Sequence, residues 1–135
     1  MDFDKCNALK AELADQPEPQ VVPIGRFFDG NDDLGSIGCN LMDHPGVERF
    51  REVLTDLLDR PDVEAVYALI SELDPGEDAW PFTDTVAVVG SIPAAELQNV
   101  VAPLQPDEVG TGDEFGAPES IKQKHNAPVL VAWWD

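Results

Sequence analysis

Three side chains in a turn-rich segment have the spacing of a metal loop. In Asp29-Gly30-Asn31-Asp32-Asp33, the residues Asp29, Asn31 and Asp33 stand where a calcium loop places its first three ligands. The pattern then breaks. Leu34 stands where such a loop needs glycine, and Asn40 stands where it needs a bidentate Glu. The segment therefore reads first as a tight turn with solvated carboxylates, and Ca²⁺ binding is the alternative. A thiol and an imidazole follow, Cys39 and His44, five residues apart. Such a pair serves as nucleophile and base, or as two metal ligands. Zinc needs three or four ligands, and the only other histidine is the distant His125. Cys39 is thus expected as a small core residue in a strand, and His44 as a helix cap.

Paired carboxylates can act as acid and base when one is held protonated in an apolar pocket. Nothing in the order of residues singles out such a pair. No phosphate-binding glycine loop, serine-nucleophile motif or zinc-protease motif occurs, so no cofactor is expected. The remaining chemistry lies in charge and in large aromatic side chains. The 135 residues include 27 acidic and 8 basic ones, a formal net charge of −19. Between Pro61 and Ile121 lie 13 acidic residues and no Lys or Arg. Nucleic-acid binding and docking on anionic membranes both require clustered cations and are excluded on that ground. Trp80, Trp133 and Trp134 could supply apolar anchors, tryptophan being enriched at interface hot spots. Trp133 and Trp134 are adjacent in a strand, so they point to opposite faces.

These residues need a scaffold, and 43% hydrophobic residues suffice to build one. Length predicts one domain over 1–135: an N-terminal helix and connector (1–20), then an α+β core (21–135). Residues 3–15 read as a helix ended by Gln16-Pro17-Glu18-Pro19. Residues 16–24 read as an extended arm, anchored by Val21, Val22, Ile24, Phe27 and Phe28. A strand is expected over 36–41. Val47, Phe50, Val53, Leu54, Leu57 and Leu58 share one face of a helix over 45–60, capped by Asp43 or His44, with Pro45 in its first turn and an Asp56–Arg60 pair on its wet face.

Strands follow at 63–73 and 85–90. In the first, Val66, Ala68 and Ile70 face one side; Tyr67, Leu69 and Leu73 face the other. A short helix runs from Pro93 to about Ala102, with Leu97, Val100 and Val101 inward. Residues 103–127 read as a long connector, and 129–134 as the last strand. The order β-α-β-β-α-β predicts a ferredoxin-like antiparallel sheet, order 4-1-3-2, with both helices on one face. The N-terminal helix or the 16–28 arm is expected to cover the other face.

The phrases FFDGNDDLGSIGCNL (27–41), HPG (44–46), WPFTDTV (80–86), APLQPDEVG (102–110) and WWD (133–135) resemble those of a group of small uncharacterised bacterial proteins. The resemblance spans residues 22–135 and implies one domain; it carries no activity with it. The chain is also similar in type, though not in motif, to immunity proteins of bacterial toxin systems. Many of these are small, acidic, cytoplasmic α+β domains that block a basic toxin.

Together these readings favour a non-enzymatic, cytoplasmic protein whose acidic face docks a basic protein partner, in the manner of an inhibitor or immunity protein. Asp29, Asp32, Asp33, Asp74, Glu77, Asp78, Asp107 and Glu108 would steer the partner; Trp80 and one of Trp133 or Trp134 would anchor it, the other of that pair lying in the core. The charge also fits plain solubility or adaptation to high salt. The alternatives are a small enzyme or ligand-binding domain with a pocket near Asp32, Asp33 and His44, and a Ca²⁺-binding protein at 29–33. A homodimer through an open sheet face, or through an edge strand ending in Trp133, also fits. The N-terminus lacks a basic segment followed by an apolar run, so no signal peptide is expected. Cys6 and Cys39 are expected as reduced thiols.

Overall fold

A computed structural model describes all residues, Met1–Asp135. One antiparallel five-stranded sheet carries helices, giving a single α+β domain. Its strands are β1 (Val21–Pro23), β2 (Val63–Glu72), β3 (Phe82–Gly90), β4 (Glu108–Thr111) and β5 (Val129–Trp133). Its helices are α1 (Phe3–Leu13), α2 (Ile24–Phe28), α3 (Val47–Leu58), α4 (Ala94–Val101), α5 (Gly112–Phe115) and α6 (Glu119–Lys124).

The sheet order is β1-β2-β3-β5-β4, which overturns the expected 4-1-3-2. β3 pairs directly with β5, Thr85 opposite Trp133 and Val89 opposite Val129. No strand from 36–41 lies between them. That segment forms a 3-10 turn at Leu34–Ser36, then one parallel bridge from Ile37 to Thr83. The chain turns away at Gly38, where φ is +65° and a Cβ would stand 2.8 Å from Phe50 Cζ. Glycine is required there both by backbone angle and by the closeness of α3. Cys39 is consequently exposed, not a core residue.

The period-two pattern of the strands sorts the two faces. Val66, Ala68, Ile70, Val86, Val88, Leu130 and Ala132 face a core of 27 buried residues, shared with α1 to α4. Tyr67, Leu69, Ala87, Val89 and Val129 face a second, smaller cluster. Leu73 departs from the expected alternation and joins the larger core, because register shifts near Ile70 and Glu72 reset the pleat.

The cover of the second face also differs from expectation. α1 and the arm bury Cys6, Leu9, Leu13, Ile24, Phe27 and Phe28 in the main core. Ile121 of α6 and Ala127 cover the other side. The segment 103–127 is therefore no structureless connector: it supplies β4, α5 and α6. Thr111 and Glu114 form a capping box for α5, a signature visible as T-x-x-E in the sequence.

α3 shows the expected apolar face, with Val47, Phe50, Val53, Leu54 and Leu57 buried and Leu58 exposed. Its N-cap residue is Gly46 rather than Asp43 or His44, and Pro45 precedes the helix. Arg60 lies past the helix end and pairs with Asp62 (2.9 Å) and Glu96 (3.4 Å), not with Asp56. In α4, Leu97 and Val101 are buried and Val100 packs at the margin of the core.

Edge pairing is poorly supported by this topology. β5 is paired on both sides, so the strand ending in Trp133 is not an edge. The edges are β1 and β4, both short. β1 ends in Pro23, which has no N–H to offer, and β4 begins with a charged Glu108.

Gly90 locks β3 onto the start of β2. Its φ is +155°, and a Cβ would lie 2.2 Å from the Asp62 carbonyl oxygen and 2.8 Å from Val63 Cα. Backbone cannot yield as a flexible side chain can. Gly90→Ala is expected to cost at least ~3 kcal/mol by urea unfolding. Gly25→Ala, in α2 with open space around it, is expected to be neutral or to stabilise by up to ~1 kcal/mol.

Candidate functional site

The loop at 29–33 is built inward. Asn31 is buried; its amide donates to Ser36 Oγ (3.0 Å) and its Oδ1 accepts from the Asp33 N–H (2.9 Å). Asp33 accepts from the backbone N–H groups of Gly35 (2.9 Å) and Trp80 (3.0 Å). Asp29 pairs with Lys5 at 2.7 Å, and Asp32 with the N-terminal amine at 2.9 Å. The calcium spacing thus resolves into an Asx turn and long-range ties. No group of three or more His, Cys, Asp or Glu side chains is placed to hold a metal ion.

The Cys39–His44 pair separates likewise. The His44 Nδ1 accepts from the Gly46 N–H (2.9 Å), so Nε2–H donates to the Ile37 carbonyl (2.8 Å). The imidazole spans the turn before α3 and rests on Phe50. None of the four cavities is lined by Asp32, Asp33 or His44. The buried thiol is Cys6, whose Sγ lies 3.5 Å from the Ala79 carbonyl and whose pKa is pushed up by burial.

The tryptophans divide. Trp80 is fully buried and its Nε1–H is the one buried side-chain polar atom without a partner. Trp134 is buried against Phe50, and its Nε1–H donates to the Leu104 carbonyl at 2.8 Å. Neither offers surface to a partner: Trp80 is a core residue, contrary to its expected role as an anchor, and Trp134 is the member of the terminal pair that lies in the core. Trp133 alone remains half-exposed, on the second sheet face between Thr85 of β3 and Glu108 of β4.

Strand register gathers the expected steering residues. The C-terminal end of β2, the 73–81 loop, the start of β3, the start of β4 and the chain terminus all meet at one end of the sheet. Glu72, Asp74, Glu77, Asp78, Asp84, Asp107, Glu108 and Asp135 lie at this end, the 73–81 loop on the α1 side and Trp133 beside Thr85 and Glu108. One cation reaches this end: Lys10 of α1, bonded to Asp74 and the Gly76 carbonyl (both 2.9 Å). Asp33 reaches the 73–81 loop through the Trp80 N–H, whereas Asp29 and Asp32 are tied to Lys5 and the N-terminal amine.

The cations are spent elsewhere. Seven of the eight Lys and Arg residues make ion pairs within the chain, Lys124 being the exception. Three carboxyls are held below the usual range by their partners' hydrogen bonds: Asp29 by Lys5, Asp62 by Arg60 and Asp113 by Lys122.

Two constellations were illegible in the sequence. On the second face, Glu64, His125 and Tyr67 form a chain. His125 Nδ1 lies 3.1 Å from the Glu64 carboxylate, and its Nε2 shares a hydrogen bond with the Tyr67 hydroxyl at 2.8 Å. Burial pushes the Tyr67 phenol up. This chain ties the 125–128 loop to β2. The second is a cavity of about 570 Å³ lined by Arg26 and Arg51. Arg51 reaches the backbone of Phe28 and Asn31, 23 and 20 residues away, and Arg26 reaches Glu12, 14 residues away, beyond any local spacing rule.

The sheet and site define a helix-covered antiparallel α+β domain with a strongly acidic sheet end. The chain belongs to the Uncharacterized protein YfbO family, whose model matches residues 4–131. The matched range takes in α1, which lies outside residues 22–135 where the phrase resemblance was drawn. Searches of curated proteins and of solved structures found no match. No helix is long and apolar enough to cross a membrane.

Two outcomes follow from this geometry. Millimolar Ca²⁺ is expected to leave Tm unchanged, whereas Asp33→Ala, stranding two backbone donors, is expected to cost ~2 kcal/mol in urea unfolding. A carboxyl whose folded pKa is depressed stabilises the fold above its unfolded pKa, and that contribution is lost as pH falls through the folded value. Stability is therefore expected to fall below about pH 4, less steeply in Asp62→Asn, as followed by far-UV circular dichroism.

Proposed function

We propose that this protein is a non-enzymatic binding protein whose acidic sheet end docks a basic protein partner, as an inhibitor or immunity protein of a bacterial toxin system would. One observation carries the reading: eight carboxylates share one end of the sheet with a single lysine, and the half-exposed Trp133 lies at that end beside Glu108. Carboxylates from three separate chain segments, all but Asp74 without a cation partner, raise the local potential beyond what net charge alone supplies. Such a field speeds association with a cationic surface by ten- to a thousand-fold and selects which face docks. The Trp133 indole, beside Glu108 at this end, supplies the desolvated contact that charge cannot.

The short, blunted edges β1 and β4 favour a partner that reads side chains over one that extends the sheet. Loss of Trp80 and Trp134 as anchors narrows the apolar contact to Trp133 and the strand residues beside it.

The protein, immobilised and exposed to its native lysate, is expected to retain a specific basic protein that elutes at moderate salt. Trp133→Ala is expected to weaken that complex at least ~30-fold, chiefly through faster dissociation. Glu77→Gln with Asp78→Asn and Glu108→Gln is expected to slow association instead and to flatten its salt dependence. Retention unchanged by both variants would overturn the reading.

A further inference from the structure

We infer that the cavity between α2 and α3 is a binding site for a phosphate group, held by the guanidiniums of Arg26 and Arg51. It is the largest cavity, about 570 Å³, and the only one in which cations outnumber carboxylates. That is unexpected in a chain of charge −19. Its volume falls in the range of small-molecule sites, about 300–1,000 Å³.

The guanidiniums are held in place. Arg51 donates to the backbone carbonyls of Phe28 (2.7 Å) and Asn31 (3.1 Å), and also to Glu48. Arg26 donates to Glu12 at 3.3 Å. A guanidinium has five N–H groups, so the pair keeps six without a partner in the chain. Thr55, Gly25 and Gly30 also line the cavity.

Asp29 is the one carboxylate in the lining. Its pKa is lowered first by the Lys5 hydrogen bond, and also by the charges of Lys5, Arg26 and Arg51. Arg26 in turn pushes back on the Lys5 charge. Three of the chain's eight cations therefore converge on one point. Asp29, Glu12 and Glu48 match these cations one for one and fix their geometry, so a phosphate would be held through the guanidinium N–H groups that remain without a partner rather than through excess charge. Two guanidiniums suit the bidentate recognition of phosphate oxygens.

The test is a titration with inorganic phosphate, and in parallel with glycerol phosphate, at constant ionic strength and pH 8. It is followed by the amide resonances of Gly25 and Gly30. Saturable shifts are expected at both. Arg26→Gln is expected to weaken binding about tenfold. Asp29→Asn, which removes the competing anion and frees Lys5, is expected to strengthen it several-fold. Glu77→Gln, removing one charge from the 73–81 loop, is expected to change it little, and melting curves confirm that each variant folds. Tighter binding of the ester assigns the cavity to a phosphomonoester; tighter binding of inorganic phosphate assigns it to free phosphate. Either supports the site. No saturable shift with either probe, or affinities that do not move in opposite directions in Arg26→Gln and Asp29→Asn, would overturn it.

Discussion

The structure depends on the burial of β3 on both faces. Val86 to Gly90 are all buried, and this stretch pairs with β2 on one side and β5 on the other. An antiparallel strand of this kind cannot leave one face to water, so the fold needs two covers. α1 to α4 provide the thick one. The 112–128 segment provides the thin one through Ile121 and Ala127. At the far end of β3, Gly90 lets the strand touch the backbone at Asp62 and Val63, which sets where β2 begins.

Charge follows from the same economy. With 27 acidic and 8 basic residues, ion pairs cannot neutralise the surface, and the apolar core carries the fold against self-repulsion. The few cations act as local ties. Lys5 joins α1 to the 29–33 loop, Lys10 joins α1 to the 73–81 loop, and Lys122 joins α6 to α5. Arg51 ties α3 to the backbone after α2. One consequence is a chain with two opposed electrostatic regions. The sheet end near Trp133 is almost free of cations, while two line the cavity between α2 and α3 and Lys5 stands beside it on Asp29.

The candidate site was legible in part. The acidic segments 74–78 and 107–108 stood out by composition, and the register of β2 to β5 brings them together. The loop at 29–33 looked equally acidic, yet its side chains serve the backbone of Gly35, Asp33 and Trp80 and the charges of Lys5 and Met1. Composition cannot separate a carboxylate that faces water from one that closes a turn. Nor can it tell Trp80, sealed under α1, from Trp133, since the indole is identical and only the neighbours differ. The Glu64–His125–Tyr67 chain and the Arg26–Arg51 cavity left no local trace at all.

By itself the sequence determined the class of fold, the two faces of β2 up to Ile70, the apolar stripe of α3 and the excess of negative charge. These are properties of near neighbours: a period of two or 3.6 residues, a proline, a count of charges. Tertiary structure alone decided the strand order, the exposure of Cys39, the burial of Trp80 and Trp134, and the use of 103–127 as a cover with a strand of its own. Residues 36–41 show why. Their small and apolar side chains suit a strand as well as a turn, and Phe50 of α3, packed against Gly38, turns the chain away after Ile37. A β-strand also needs a partner, and β3 had already taken β2 and β5. Such competition between distant segments is a many-body packing problem, and no local pattern encodes its outcome.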